Sequence, residues 1–437
     1  MSNSVREQVM MRMMGSRLRI FGFVMVVVIG YIFGHSRTTF LSTSDAQETT
    51  KRAAVSAPGP ISPVKARSRD VYFPNSEELA PDEMRIISLG TGMPSSRRSQ
   101  AASSWLVELG NGDKFLFDIG SGSAGNLGSL VIPYEYLNKV FISHLHTDHF
   151  GDLAHLYIGG VLSGRVGPLH VWGPSGAEER LGTAHACKHL KESLAWDIEG
   201  RKGRLPASAF ELDVHEFDFR GENQVVYQEN GVTIRSWPAI HVIDGSVSFA
   251  LEWNGFKFVF GGDTYPNKWF NKYAQNADLA VHECMMAVET WVEKYRFPVD
   301  RALEVATQIH TTPEAFGKVM STIKPRHAVA YHFFNDFDTV ELVGLGIRGT
   351  YDGPLTLAND LYCWNLTKDE VRVRTVSPIE DAWPPPGAVK PPKVDSSGMK
   401  NVSPEIQAET FDVLKENQGI YDRINKKYGT NIQPRAK

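Results

Sequence analysis

The chain has 437 residues, a formal net charge of −4 and 42% hydrophobic residues. That composition suits one large soluble domain or two ordinary ones, and a charge so near neutral gives no electrostatic reason to expect nucleic acid, which favours a basic face. Its three cysteines, Cys187, Cys284 and Cys363, are odd in number and far apart. Neither a disulfide framework nor a zinc knuckle is indicated, so they read as small buried hydrophobes.

In chain order, Arg6, Arg12, Arg17 and Arg19 precede an uncharged apolar run over 20–34. Basic residues ahead of such a run predict an export signal whose arginines stay cytoplasmic. The run is intermediate between a signal-peptide core and a full span of about 20 residues. Ser44-x-Ala46 offers a small-residue cleavage pattern, but Arg37 intervenes, and the reading leans to an uncleaved anchor. Residues 1–41 are therefore expected to be a signal peptide or signal anchor. The remainder would be periplasmic or extracytoplasmic and tethered to the inner membrane, or secreted if the segment is cleaved. Residues 42–82, rich in Ser, Ala, Pro and mixed charge, read as a flexible linker.

Folded structure is expected over 83–377. Strand-like runs recur at 85–89, 104–109, 114–117, 140–143, 232–237, 247–253, 256–260, 279–282 and 328–332, with helices over 152–162, 177–192, 301–308 and 313–323. Strands interleaved with helices argue an α/β layered architecture. From 378 the composition becomes Pro-rich, as in Trp383-Pro384-Pro385-Pro386, and a charged helix is expected over 404–427. This C-terminal tail, 378–437, carries no legible function.

The chemistry concentrates in Ser143-His144-Leu145-His146-Thr147-Asp148-His149, directly after the apolar Val140-Phe141-Ile142. Three imidazoles and a carboxylate packed this closely strip one another of solvent and repel protons unless a cation coordinates them. In an extended segment His144 and His146 face one side, while Asp148 and His149, at the following turn, reach a second position. The spacing suggests two metals; the bland alternative is a solvated polar loop before a helix. The missing donors must come from elsewhere. His241, Asp263 and His332 each follow an apolar run, where a buried strand delivers a side chain to a rim. Singly, each reads equally well as a satisfied core histidine or a turn aspartate.

The order His144-x-His146-x-Asp148-His149, then His241, Asp263 and His332, resembles the metallo-β-lactamase superfamily. The resemblance implies an αββα sandwich with a dinuclear site at its edge. His144, His146 and His241 would hold one ion, Asp148, His149 and His332 the other, and Asp263 would bridge two divalent ions, with zinc the first expectation. Asp118, in Phe115-Leu116-Phe117-Asp118-Ile119-Gly120, matches the family's aspartate that buttresses the metal loop. Leu89-Gly90-Thr91-Gly92-Met93-Pro94 resembles the opening turn of the branch that holds ribonuclease Z and the zinc arylsulfatases. His282-Glu283-Cys284-Met285 falls where that branch has His-Glu-Ala-Thr, and His310-Thr311-Thr312 where it has His-Ser-Thr. By resemblance Glu283 and His310 form a dyad beside the metals, with His310 suited to protonating a leaving group or binding a transferred anion. Asp148, Glu283 and His310 are thus the candidate catalytic residues. The segments 332–339 and 350–361 are similar to the hydrolases associated with guanitoxin biosynthesis.

The expected reaction is hydrolysis by a metal-bridging hydroxide of a small anionic ester, whether phosphate, sulfate or carboxylate. Lys188, His189, Lys191, Arg201, Lys202 and Arg204 form a candidate pocket wall, although the interleaved Glu192, Asp197 and Glu199 equally suit a solvated helix face. Trp172, Trp196, Phe333 and Phe334 read as an aromatic wall or as core. Two other functions compete. A ribonuclease Z-like nuclease is set aside because an exported enzyme would not meet tRNA precursors and no Gly-rich basic arm is present. A non-catalytic metal-binding protein is set aside because no ligand is missing. The expected partners are a small-molecule substrate and, through the N-terminal segment, the membrane; the oligomeric state is open, a dimer being compatible.

Overall fold

Ile86 and Ile87 point to opposite faces of one strand, and both are buried in the computed structural model, which describes residues 70–95 and 97–433. A strand buried on both faces needs cover on both sides, which here is a second sheet on one face and helices on the other. The first sheet has nine strands in the order β1 (Val71–Tyr72), β16 (Val371–Val376), β15 (Tyr362–Leu366), β2 (Met84–Gly90), β3 (Ser104–Leu109), β4 (Lys114–Phe117), β5 (Lys139–Phe141), β6 (Leu169–Pro174) and β7 (Leu212–Phe217). The second has seven: β14 (Leu355–Leu357), β13 (His327–Tyr331), β12 (Leu279–Glu283), β11 (Phe256–Phe260), β10 (Val247–Trp253), β9 (Val232–Pro238) and β8 (Gln224–Glu229).

Between the sheets lies an aromatic layer of Trp105, Phe117, Phe141, Phe249, Phe258, Phe260 and Tyr331. Trp105 meets Tyr331 edge-on at 5.5 Å and Phe117 meets Phe258 at 5.3 Å, the tilted geometries that ring quadrupoles favour. Alternate residues serve the outer faces. Ile87, Leu106, Leu116 and Val140 pack with Leu153, Leu156 and Tyr157 of the helix Leu153–Leu162. Ala250, Val259, Ala280 and Ala328 pack with Phe316 and Met320 of the helix Pro313–Ile323 and with Val343 and Ile347 of the helix Phe337–Arg348. The result is the αββα sandwich. All three cysteines are free and buried.

Several elements depart from the sequence expectation. Residues 70–82 are not a linker: β1 pairs in parallel with β16, and Glu77 forms a buried ion pair with Arg374. The edge strands β7 and β8 are half-exposed and carry little apolar signal, and with β6, β14, β15, β16 and the helix Phe337–Arg348 they were not foreseen. The tail forms two helices, Pro404–Ala408 and Leu414–Tyr428, with Asp412 accepting the Leu414 N–H at the break. The expected signal or anchor, 1–41, and linker residues 42–69 lie outside the described residues. Among the described residues no helix is long and apolar enough to cross a membrane.

Candidate metal centre

The site is built where strands stop. Asp118 follows β4, Ser143 to His149 follow β5, Asp263 follows β11, Glu283 ends β12 and His332 follows β13; His241 stands in the loop between β9 and β10. Two of these turns require left-handed backbone, with φ of 57° at Asp118 and 74° at His332. Side chains carry that strain, and networks of hydrogen bonds hold it in place. The Asp118 carboxylate accepts the Ser143 N–H at 2.7 Å, the Ser143 hydroxyl at 2.8 Å and a His149 Nδ1 contact at 2.6 Å. The His332 N–H donates to the Thr91 carbonyl at 2.9 Å. Asp360 in turn accepts the Thr91 N–H, the Thr91 hydroxyl and the Ala101 N–H.

All the sequence-nominated donors converge, in two groups that share Asp263: His144, His146, His241 and Asp263, and Asp148, His149, Asp263 and His332. His146 Nδ1 lies 3.0 Å from His144 Nε2 and 3.2 Å from His241 Nε2. His149 Nε2 is 3.1 Å from Asp263 Oδ1 and 3.5 Å from Asp148 Oδ2, and His332 Nε2 is 3.1 Å from Asp263 Oδ2 and 3.2 Å from Asp148 Oδ2.

This packing fits cations. Three imidazole nitrogens facing one another at hydrogen-bond distance cannot satisfy themselves with the protons neutral rings carry. Asp148 Oδ1 is buried without a hydrogen-bond partner, and His149 Nε2 and Asp263 Oδ1, although 3.1 Å apart, are not aligned to hydrogen-bond, which is costly unless something else compensates them. With its Nδ1 engaged by Asp118, His149 turns Nε2 to the carboxylates, the second carboxylate–histidine arrangement that orients metal ligands. Charges respond accordingly. Burial, reinforced by His149, holds His144 well below the usual imidazole range. Burial opposes the charged form of His149 too, yet Asp263, Asp148 and Asp118 outweigh it and raise it well above that range.

Beside the groups, His310 Nδ1 lies 2.9 Å from Glu283 Oε1, and Glu283 also accepts the Thr264 N–H at 3.0 Å and the Thr311 N–H at 3.3 Å. Burial opposes a charged His310, but the Glu283 carboxylate overrides it and the imidazole is pushed up to about 9. Its ring stacks 5.3 Å from that of His332 and stands 5.0 Å from that of His241. The dyad thus touches both donor groups.

A cavity of about 310 Å³ opens over His144, His146 and His241, walled by Pro174, Leu181, Val242 and Ile243 with Arg180 at its side. The expected basic wall is elsewhere. Arg201 pairs with Asp197, Lys202 with Glu199 and His189 with Glu192, and Arg204 donates to the Lys400 carbonyl of the tail. None of the expected aromatic wall lines this cavity either: Trp172, Phe333 and Phe334 are core, and Trp196 is exposed. Thr91 and Asp360, which fix His332, were quoted only as parts of motifs. The half-buried Asp360 carboxylate gave no local sign of its distant partner.

The family description "Anti-Pycsar protein Apyc1" matches residues 84–294. Ribonuclease Z of Mycobacterium marinum (strain ATCC BAA-535 / M) is 30% identical over 206 residues, covering 46% of this chain and 70% of that protein. Ribonuclease Z of Mycolicibacterium gilvum (strain PYR-GCK) is 28% identical over 205 residues, covering 46% of this chain and 68% of that protein. Among solved structures, the metallo-β-lactamase fold protein YhfI from Bacillus subtilis aligns with 65% of this chain and 100% of its own, at 18% identity and a TM-score of 0.49.

Proposed function

This chain belongs to the ribonuclease Z-like hydrolases of the metallo-β-lactamase fold, metal-dependent enzymes acting on ester bonds, and we propose that its substrate is a small anionic ester, a phosphoester first. One observation carries the reading: imidazoles and carboxylates arranged in two groups around Asp263, one wholly buried and the other, through His146 and His241, opening on a cavity of small-ligand size. Two divalent ions, zinc by expectation, would be held by His144, His146 and His241 and by Asp148, His149 and His332, with Asp263 common to both. When bound they supply Lewis-acid activation of water and of the ester oxygen. The chain's own residues supply the rest. Asp118 fixes the His149 ring, Glu283 keeps a proton on His310, and His310 is placed to deliver that proton to the leaving oxygen. Pro174, Leu181, Val242 and Ile243 exclude water from one side of the cavity, and Arg180, paired with Glu178 at 2.8 Å, stands at its side.

The printed name of the relatives ties those proteins to RNA, and a nuclease is the second reading. The small ester is preferred because the cavity over His144, His146 and His241 is of small-ligand size, and because His189, Arg201 and Lys202 are each paired with a neighbouring acid. Within the family we place the chain nearest the guanitoxin-type hydrolases, on the segments 332–339 and 350–361. We also propose that the hydrolase domain lies beyond the inner membrane, tethered through 20–34. Purified metal-replete protein should hydrolyse aryl phosphodiesters ahead of aryl sulfates, lactones and structured RNA, and Asp263→Ala should lose both the ions of this centre and turnover. Full activity in Asp263→Ala overturns the site, and preference for RNA over every small ester installs the nuclease. Protease access in fractionated cells tests the location: a full-length, uncleaved and soluble cytoplasmic protein rules out export.

A further inference from the structure

β6 and β7 are parallel neighbours at one end of the nine-stranded sheet, paired so that His170 stands opposite Asp213 and Trp172 opposite His215. Alternation puts Asp213 and His215 on one face of β7. There Asp213 Oδ2 lies 3.0 Å from His170 Nδ1 and 3.3 Å from His215 Nε2, and the two ring nitrogens are 3.4 Å apart. Donors held about 2.0–2.2 Å from one ion stand roughly 3.0–3.5 Å apart at tetrahedral or octahedral angles. The three atoms already have that spacing.

Packing also holds them there. The His215 ring stacks 4.4 Å from Trp172 at 10°, and Trp172, in the core, stacks 4.8 Å from Phe141 at 6°. An imidazole pinned by a core indole is an oriented ligand, unlike a free surface histidine. The donors His170, Asp213 and His215 belong to neither group around Asp263.

We propose that His170, Asp213 and His215 form a second, peripheral metal site that binds one divalent transition ion. Two imidazoles and one carboxylate suit zinc, cobalt, nickel or copper, whereas calcium and magnesium call for oxygen donors. The part-exposed side chains leave the remaining coordination positions to water. Because β7 is the last strand of its sheet, an ion shared by β6 and β7 clips that edge to its neighbour.

The test is zinc content and zinc-dependent melting of the full chain after saturation with zinc and removal of free metal. H170A/H215A is expected to hold about one equivalent less than the wild type, and zinc should raise its melting temperature less. Wild-type zinc content in a folded H170A/H215A overturns the proposal. Should that variant fail to fold, D213N keeps the side-chain shape while removing the charge. It is expected to bind this equivalent at least about tenfold more weakly, and unchanged affinity in D213N also overturns the proposal.

Discussion

Gly262→Ala should damage the metal centre out of proportion to its size. Gly262 has φ of 60°, and a Cβ built there lies 2.7 Å from Ser143 Cβ and 2.9 Å from Ser143 Oγ. The left-handed backbone costs an alanine about 1–2 kcal/mol. Separating the two carbons to ordinary contact needs a shift of roughly 0.7 Å, and overpacking of that kind costs about 1–3 kcal/mol. A destabilisation of about 2–5 kcal/mol follows. The shift falls between Asp263 and Ser143-His144, whose register Asp118 fixes, so both donor groups are disturbed at once. Misplacement near 1 Å at a reacting site costs about 10²-fold, so turnover per folded molecule should drop roughly 10- to 100-fold. Gly255→Ala is the control: its φ is 81° but a Cβ there meets nothing within 4 Å, so it should pay the backbone cost alone and keep its turnover. Urea unfolding followed by turnover of the folded fraction reads both quantities. Equal turnover in Gly262→Ala and Gly255→Ala would refute the steric argument.

Three further outcomes are expected. His310→Ala should slow turnover by about 10²- to 10⁴-fold with the metal content of the Asp263 centre intact, and Glu283→Gln should act in the same direction more weakly; loss of metal in His310→Ala would make it a ligand. Asp118→Ala should weaken metal binding by about 10- to 100-fold, read by competition with a chelator, since it frees the His149 ring and the Ser143 backbone together. Glu108→Ala should cost about 3–5 kcal/mol in urea unfolding, because Arg85, buried and 2.7 Å from Glu108, is left without its principal partner; a loss below 1 kcal/mol would show that Arg85 finds compensation elsewhere.

The residues that converge around Asp263 were legible because local spacing and strand ends govern them. His144, His146, Asp148 and His149 are close in sequence, and His241, Asp263 and His332 each follow an apolar run that a reader can see. Strands buried on both faces, such as β3, β4, β10 and β11, were legible for the same reason: their apolar runs are short and bounded by Gly, Asn or Asp. Edge strands such as β7 and β8 were not, since half their side chains meet water. The cavity wall was misread because charge in a helix says nothing about the direction the helix faces; none of the basic residues over 188–204 lines the cavity, and Arg201, Lys202 and Arg204 turn to neighbouring acids and the tail. Tertiary structure alone put Asp360 under Thr91, 269 positions away, and brought His170 to Asp213 and His215 across two strands. Such contacts are set by strand order and register, which depend on how both sheets close over one aromatic layer and leave no periodic mark in the chain.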